Sequence, residues 1–84
     1  MKWKLKRLIV GDEKKGFVCH LNCGDQSVIA TLRPFQNIYP CCFQFEVRPE
    51  KDLVSVYLTC YYQKITMRNM VDGIMRWFGS RDEI

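Results

Sequence analysis

The side chains of this 84-residue chain best suited to covalent or metal chemistry are five cysteines and its one histidine: Cys19, His20, Cys23, Cys41, Cys42 and Cys60. Thiolates and imidazole are the usual ligands of zinc, and Cys23-Gly24 has the form of the end of a zinc knuckle. Spacing decides against that use. Residues 17–23 alternate as a strand does, with Phe17, Cys19, Leu21 and Cys23 on one side. At ~3.3 Å per residue Cys19 and Cys23 then lie about 13 Å apart, and His20 points the other way. Two thiolates on one zinc, each ~2.3 Å from the metal, must lie within about 4 Å of each other. The strand and the metal site exclude one another here, so the expectation is buried thiols packing as small hydrophobes, with no metal and no cofactor. A small zinc-binding domain is the second alternative.

The same alternation separates His20 from both neighbouring cysteines, and no third group is placed to orient a Cys–His nucleophile pair. The sequence has no paired carboxylates, no glycine-rich phosphate loop and no nucleophile elbow. The segment Pro40-Cys41-Cys42-Phe43-Gln44-Phe45-Glu46-Val47 resembles the Pro-Cys-His strand of thymidylate synthases, and Tyr62-Gln63-Lys64 resembles their Tyr-Gln-Arg segment. The histidine is missing, the cysteine-to-Gln-Phe spacing is two residues short and lysine replaces arginine, so no catalytic role carries over. The expectation is a protein that is not an enzyme.

Two further sets of residues point to binding. The formal net charge of +4 sits in the first fifteen residues, where Lys2, Lys4, Lys6, Arg7, Lys14 and Lys15 face only Asp12 and Glu13; the rest of the chain is balanced. Any electrostatic pull on a polyanion comes from that segment. With Tyr57 and Tyr61 on an open sheet face, it could form a nucleic-acid platform of cations and aromatic rings. The competing reading is an edge strand guarded by lysines. The second set is aromatic: Phe35, Tyr39, Tyr57, Tyr61 and Trp77 all fall outside the expected core positions, and tyrosine and tryptophan are enriched at the centres of protein interfaces.

The elements that must position these residues follow from two rhythms. A two-residue period marks strands near 2–10, 17–23, 27–33, 41–48 and 53–65. In the first, Trp3, Leu5 and Ile9 share a face and Lys2, Lys4 and Lys6 the other, with Arg7, Leu8 and Val10 out of phase. The last has Val54, Val56, Leu58, Cys60 and Tyr62 on one face; its length calls for a bend or bulge. From Met67 the period becomes helical. Met67, Met70, Val71, Ile74, Met75 and Phe78 make one stripe over residues 67–78, with Thr66 as N-cap, Gly79 as the stop, and Arg68, Asp72 and Arg76 on the exposed side. Gly73 sits where the helix backbone would approach the sheet closely.

The expected fold is therefore α+β: a curved antiparallel five-stranded sheet, β-β-β-β-β-α, closed on one face by an amphipathic C-terminal helix, as a single domain over residues 1–84. The composition is globular, 48% hydrophobic and 26% charged. No apolar run approaches the ~20 residues of a membrane span, and Leu8-Ile9-Val10 is too short for a secretory core. The odd cysteine count in a chain without an export signal implies reduced thiols and a cytoplasmic location, the host's if a virus encodes the chain.

The function expected is a small non-catalytic protein-binding module of adaptor or inhibitor type, a style common among viral and mobile-element proteins, that occupies a partner surface. Its expected contacts are Tyr57, Tyr61, Trp77 and Arg76, with Lys4 and Lys6 steering approach. A nucleic-acid-binding domain using the basic N-terminal strand is the alternative. An exposed strand edge also points to a homodimer.

Overall fold

The computed structural model describes residues 4–9, 16–35, 43–52 and 54–82. They form an antiparallel sheet and one C-terminal helix, the α+β class expected. The elements are β1 (Lys4–Ile9), β2 (Phe17–Cys23), β3 (Gln26–Pro34), β4 (Phe43–Pro49), β5 (Leu58–Tyr62) and α1 (Met67–Asp82). The strands follow chain order across the sheet, so each pairs with its sequence neighbour.

Alternation explains the strands. Along β2, Phe17, Cys19, Leu21 and Cys23 are buried while Val18, His20 and Asn22 are half-buried. The register carries this alternation sideways: Cys19 meets Ala30, Ala30 meets Val47, and Val47 meets Leu58. A second row runs Phe17, Leu32, Phe45, Cys60. The connection between β2 and β3 is the two-residue turn Gly24-Asp25, closed by Cys23 opposite Gln26. Gly24 there has φ +62°, the glycine-first geometry that matches the twist of a hairpin.

Register also resolves the phase break of β1. Leu5 pairs with Leu21, but Arg7 pairs with His20, an irregularity that skips Lys6. Leu8 is thereby the partner of Cys19 and Ile9 the partner of Val18.

The expected thirteen-residue strand at 53–65 is shorter in the structure. Only Leu58–Tyr62 is regular. Before it, Asp52 gathers the chain: its Oδ1 accepts the N–H groups of Val54 (2.9 Å) and Ser55 (3.3 Å), and its Oδ2 accepts the Ser55 hydroxyl. These bonds offer the backbone a turn instead of a ladder. Val54 and Val56, expected on one strand face with Leu58, Cys60 and Tyr62, are exposed. The Tyr57 N–H then donates to Val47 O at 2.8 Å, although Val47 is already the partner of Leu58. Two residues against one is the count of a β-bulge.

Thr66 caps α1 as expected, its Oγ1 accepting the Asn69 N–H at 3.0 Å. Gly79 does not stop the helix, which runs on to Asp82. No left-handed φ is found at Gly79, so the residue is simply helical. The helix lies on one face of the sheet, chiefly on β4 with β3 and β5 beside it. Met70 and Trp77 are each 1% exposed, and Ile74 and Phe78 pack at the margin of the same core.

Candidate interaction surfaces

The sheet face away from the helix is polar and cross-linked. Arg33 donates from Nε (3.4 Å) and Nη2 (3.2 Å) to Gln44 Oε1. Gln44 is the register partner of Tyr61, whose ring lies 5.5 Å from that of Phe35. In the next rows Glu46 accepts from Arg48 Nε at 2.6 Å, and His20 Nδ1 pairs with Glu50 Oε1 at 2.9 Å. Lys4 begins β1 opposite Asn22, at the far edge of this face, and is exposed. Among the described residues of this face, Arg33, Arg48 and His20 are thus tied to neighbouring acids and amides.

A second surface lies where β5 forms the sheet edge. Tyr62 is buried on the helix side of the sheet, and its hydroxyl donates to Asp72 Oδ2 at 2.7 Å. Arg76 Nε bonds the same Oδ2 at 3.0 Å, and its guanidinium lies 5.4 Å from the centroid of the Tyr62 ring. Burial, followed by the hydrogen bonds to Asp72 and from Cys60, pushes the Tyr62 phenol well above its ordinary range. Tyr57 and Tyr61 are exposed along this edge. At its far end, an open depression of about 320 Å³ is lined by Tyr61, Tyr62, Gln63, Lys64 and Asn69.

The third surface is on the helix itself. At ~100° per residue, Gly73, Trp77, Met70, Ile74, Met67, Phe78, Val71 and Met75 occupy a continuous arc of roughly 200°. A helix needs only about 100° of apolar surface to face a core. The Gly73–Trp77–Met70 half is buried against the sheet, whereas Met67, Val71 and Met75 remain 40%, 50% and 58% exposed. The polar flank, with Asn69, Asp72 and Arg76, lies on the side of Tyr62. The apolar flank therefore lies on the other side of the helix axis.

The residues expected to make partner contacts thus divide. Tyr57, Tyr61 and Arg76 are exposed and belong to the β5 side. Lys4 is on the opposite edge of the sheet. Trp77 is a correction: it is buried among the core residues, its ring 5.3 Å from that of Phe78. The inward direction of the helix lies about one position away from the centre of the expected Met67–Phe78 stripe, which turns Trp77 in and Met67, Val71 and Met75 out. The signal that would have found the correct phase is the largest side chain sitting seven residues after Met70. The side chain of Lys6, together with Trp3, Tyr39, Cys41 and Cys42, lies outside the described residues.

Cys19 and Cys23 are buried on the helix side of β2, and His20 is on the other side in its bond to Glu50. Burial raises the Cys19 thiol above its ordinary value. Among the described residues no three His, Cys, Asp or Glu side chains are grouped to hold a metal ion. No helix among them is long and apolar enough to cross a membrane. Neither a protein-family model, nor a curated protein, nor a solved structure matches the chain.

Proposed function

We propose that this chain is a non-catalytic protein-binding module that occupies a partner surface with the outer flank of α1, on a curved, five-stranded sheet that fixes the helix. The carrying observation is the surplus apolar arc. Met67, Val71 and Met75 stand at i, i+4 and i+8 on a helix already anchored by Met70 and Trp77. Such a row on one side of a helix is suited to lying in an apolar groove. Methionine suits such a contact because its flexible thioether fills irregular gaps. Arg68 borders the stripe and is exposed, so the partner is a protein whose groove is apolar and rimmed by carboxylates. Tyr57, Tyr61, Arg76 and Lys4 fall outside this contact, and Lys6 takes no assigned part in it.

The test is a titration. Protein partners recovered from the native host are purified, and their binding is compared across wild type, Val71→Asp, Met75→Asp and Lys4→Glu. Tenfold or greater weakening by both helix variants, with unchanged thermal melting, supports the reading. Equal affinity for wild type and both helix variants sinks it.

The alternative, nucleic-acid binding, draws on one observation: the row Arg33, Gln44, Tyr61 and Phe35 sets a guanidinium and two rings on the polar sheet face. Binding of a single-stranded oligonucleotide with a steep salt slope, lost in Tyr61→Ala and Arg33→Glu but kept in Met75→Asp, would favour it over the helix flank.

A further inference from the structure

The two edges of the sheet are built differently. β1 has the sequence KLKRLI, with three bases in six residues, whereas β5 is LTCYY, with no charge and no proline. Lysine and proline are the usual protection of an edge against pairing with another chain. β5 lacks both.

Two backbone hydrogen bonds fix which way β5 presents its polar groups. The Tyr57 N–H donates to Val47 O, and the Glu50 N–H donates to Ser27 O. Along a strand the N–H and C=O of one residue point to the same side, and successive residues alternate. Val47, Phe45 and Phe43 therefore address β5, while Glu50, Arg48, Glu46 and Gln44 address β3. The register partners of the first set, Leu58, Cys60 and Tyr62, point inward to β4. The N–H and C=O groups of Thr59 and Tyr61 consequently point off the edge of the sheet.

We infer that this edge pairs antiparallel with β5 of a second copy, about a two-fold axis at Cys60. In that register Thr59 lies opposite Tyr61 of the partner subunit and Tyr61 opposite Thr59 of the partner subunit. Both are doubly hydrogen-bonded pairs, and every outward group of the strand is used. A register centred on Thr59 would require Tyr57, which is committed to the bulge at Val47. One centred on Tyr61 would require Gln63, beyond the end of the strand. The partner is thus a second copy because the edge is complementary to itself in one register only. The helix flank beside this edge carries Asp72 and Arg76, one charge of each sign, so two copies meet without a wall of like charge. Cys60 then faces Cys60 of the partner subunit as a non-hydrogen-bonded pair, with Cα atoms about 4.5 Å apart. That spacing lies within the ~4.4–6.8 Å range of a disulfide. This surface is separate from the outer helix flank of the proposed function.

Sedimentation equilibrium of the full chain under reducing conditions should show a monomer–dimer equilibrium in the micromolar to hundred-micromolar range. Thr59→Pro removes an outward N–H and leaves the β4–β5 ladder its donors, so it should weaken association at least tenfold with an unchanged circular dichroism spectrum. Independently of any variant, amide exchange at Thr59 and Tyr61 should slow as protein concentration rises. In Cys41→Ser/Cys42→Ser, diamide should take two electrons and two protons from the paired thiols and yield a dimer linked through Cys60. The additional change Cys60→Ser should abolish that product. Val71→Asp and Met75→Asp should leave the dimer intact. A monomer at every concentration, concentration-independent exchange at Thr59 and Tyr61, or a dimer lost in the helix-flank variants would each overturn the inference.

Discussion

A Cβ built on Gly73 would stand 2.5 Å from Cγ of the Phe45 ring. The helix thus rests on the sheet through a glycine, with its backbone against the ring of a fully buried phenylalanine. Gly73→Ala sets two effects against each other. Helix propensity favours alanine by ~1 kcal/mol, but overpacking a filled site costs about 1–3 kcal/mol. Phe45 is ringed by Leu32, Val47 and Tyr62 in the same core and has little room to withdraw. The expected outcome is net destabilisation, read as a lowered midpoint in urea unfolding. A more stable Gly73→Ala variant would show that the helix can lift without loss.

Tyr62 gives the structure a limit in alkali. Its folded-state pKa is raised, by burial first and then by donation to Asp72. A raised pKa contributes stability that is present in full below the unfolded value, near 10 for tyrosine, and is lost as pH climbs above it. Stability should fall above about pH 10, by up to ~1.4 kcal/mol per pH unit from this group. Tyr62→Phe should be less stable at neutral pH and show a shallower decline. Denaturant midpoints of both proteins between pH 8 and 11 check this.

The cap at Thr66 is a local contribution. Thr66→Ala leaves the Asn69 N–H without its 3.0 Å acceptor and should cost about 0.5–2 kcal/mol. Thr66→Ser and Thr66→Asp should restore most of it. Equal stability of the alanine and serine variants would mean that water replaces the hydroxyl without cost.

The two halves of the helix's apolar arc should answer differently to truncation. Met70 is buried, and Met70→Ala should cost about 2–5 kcal/mol. Met75 is 58% exposed, and Met75→Ala should change stability by no more than about 0.5 kcal/mol. Thermal melts of the two variants side by side decide the point; comparable losses would place Met75 in the core.

Much of this arrangement is written locally. The alternation of Phe17, Cys19, Leu21 and Cys23 was sufficient to place β2 to the residue, and Thr66 and Gly73 announced the cap and the close approach. Where the chain misleads, several local readings compete and only packing chooses among them. Residues 53–57 alternate like a strand, yet the Asp52 carboxylate draws their N–H groups into a turn. The helix from Met67 has twice the apolar arc it needs, so periodicity fixes that it is a helix but not which half turns inward. Phe45 decides that: only Gly73 lets the axis come close enough, and the direction of Gly73 carries Trp77 into the core and leaves Met75 outside. The sequence by itself determined the faces of β2, β3 and β4, the helix and its cap. The tertiary structure alone decided the helix's rotation and the place of β5 at the end of the strand order, because both depend on contacts between residues far apart in the chain.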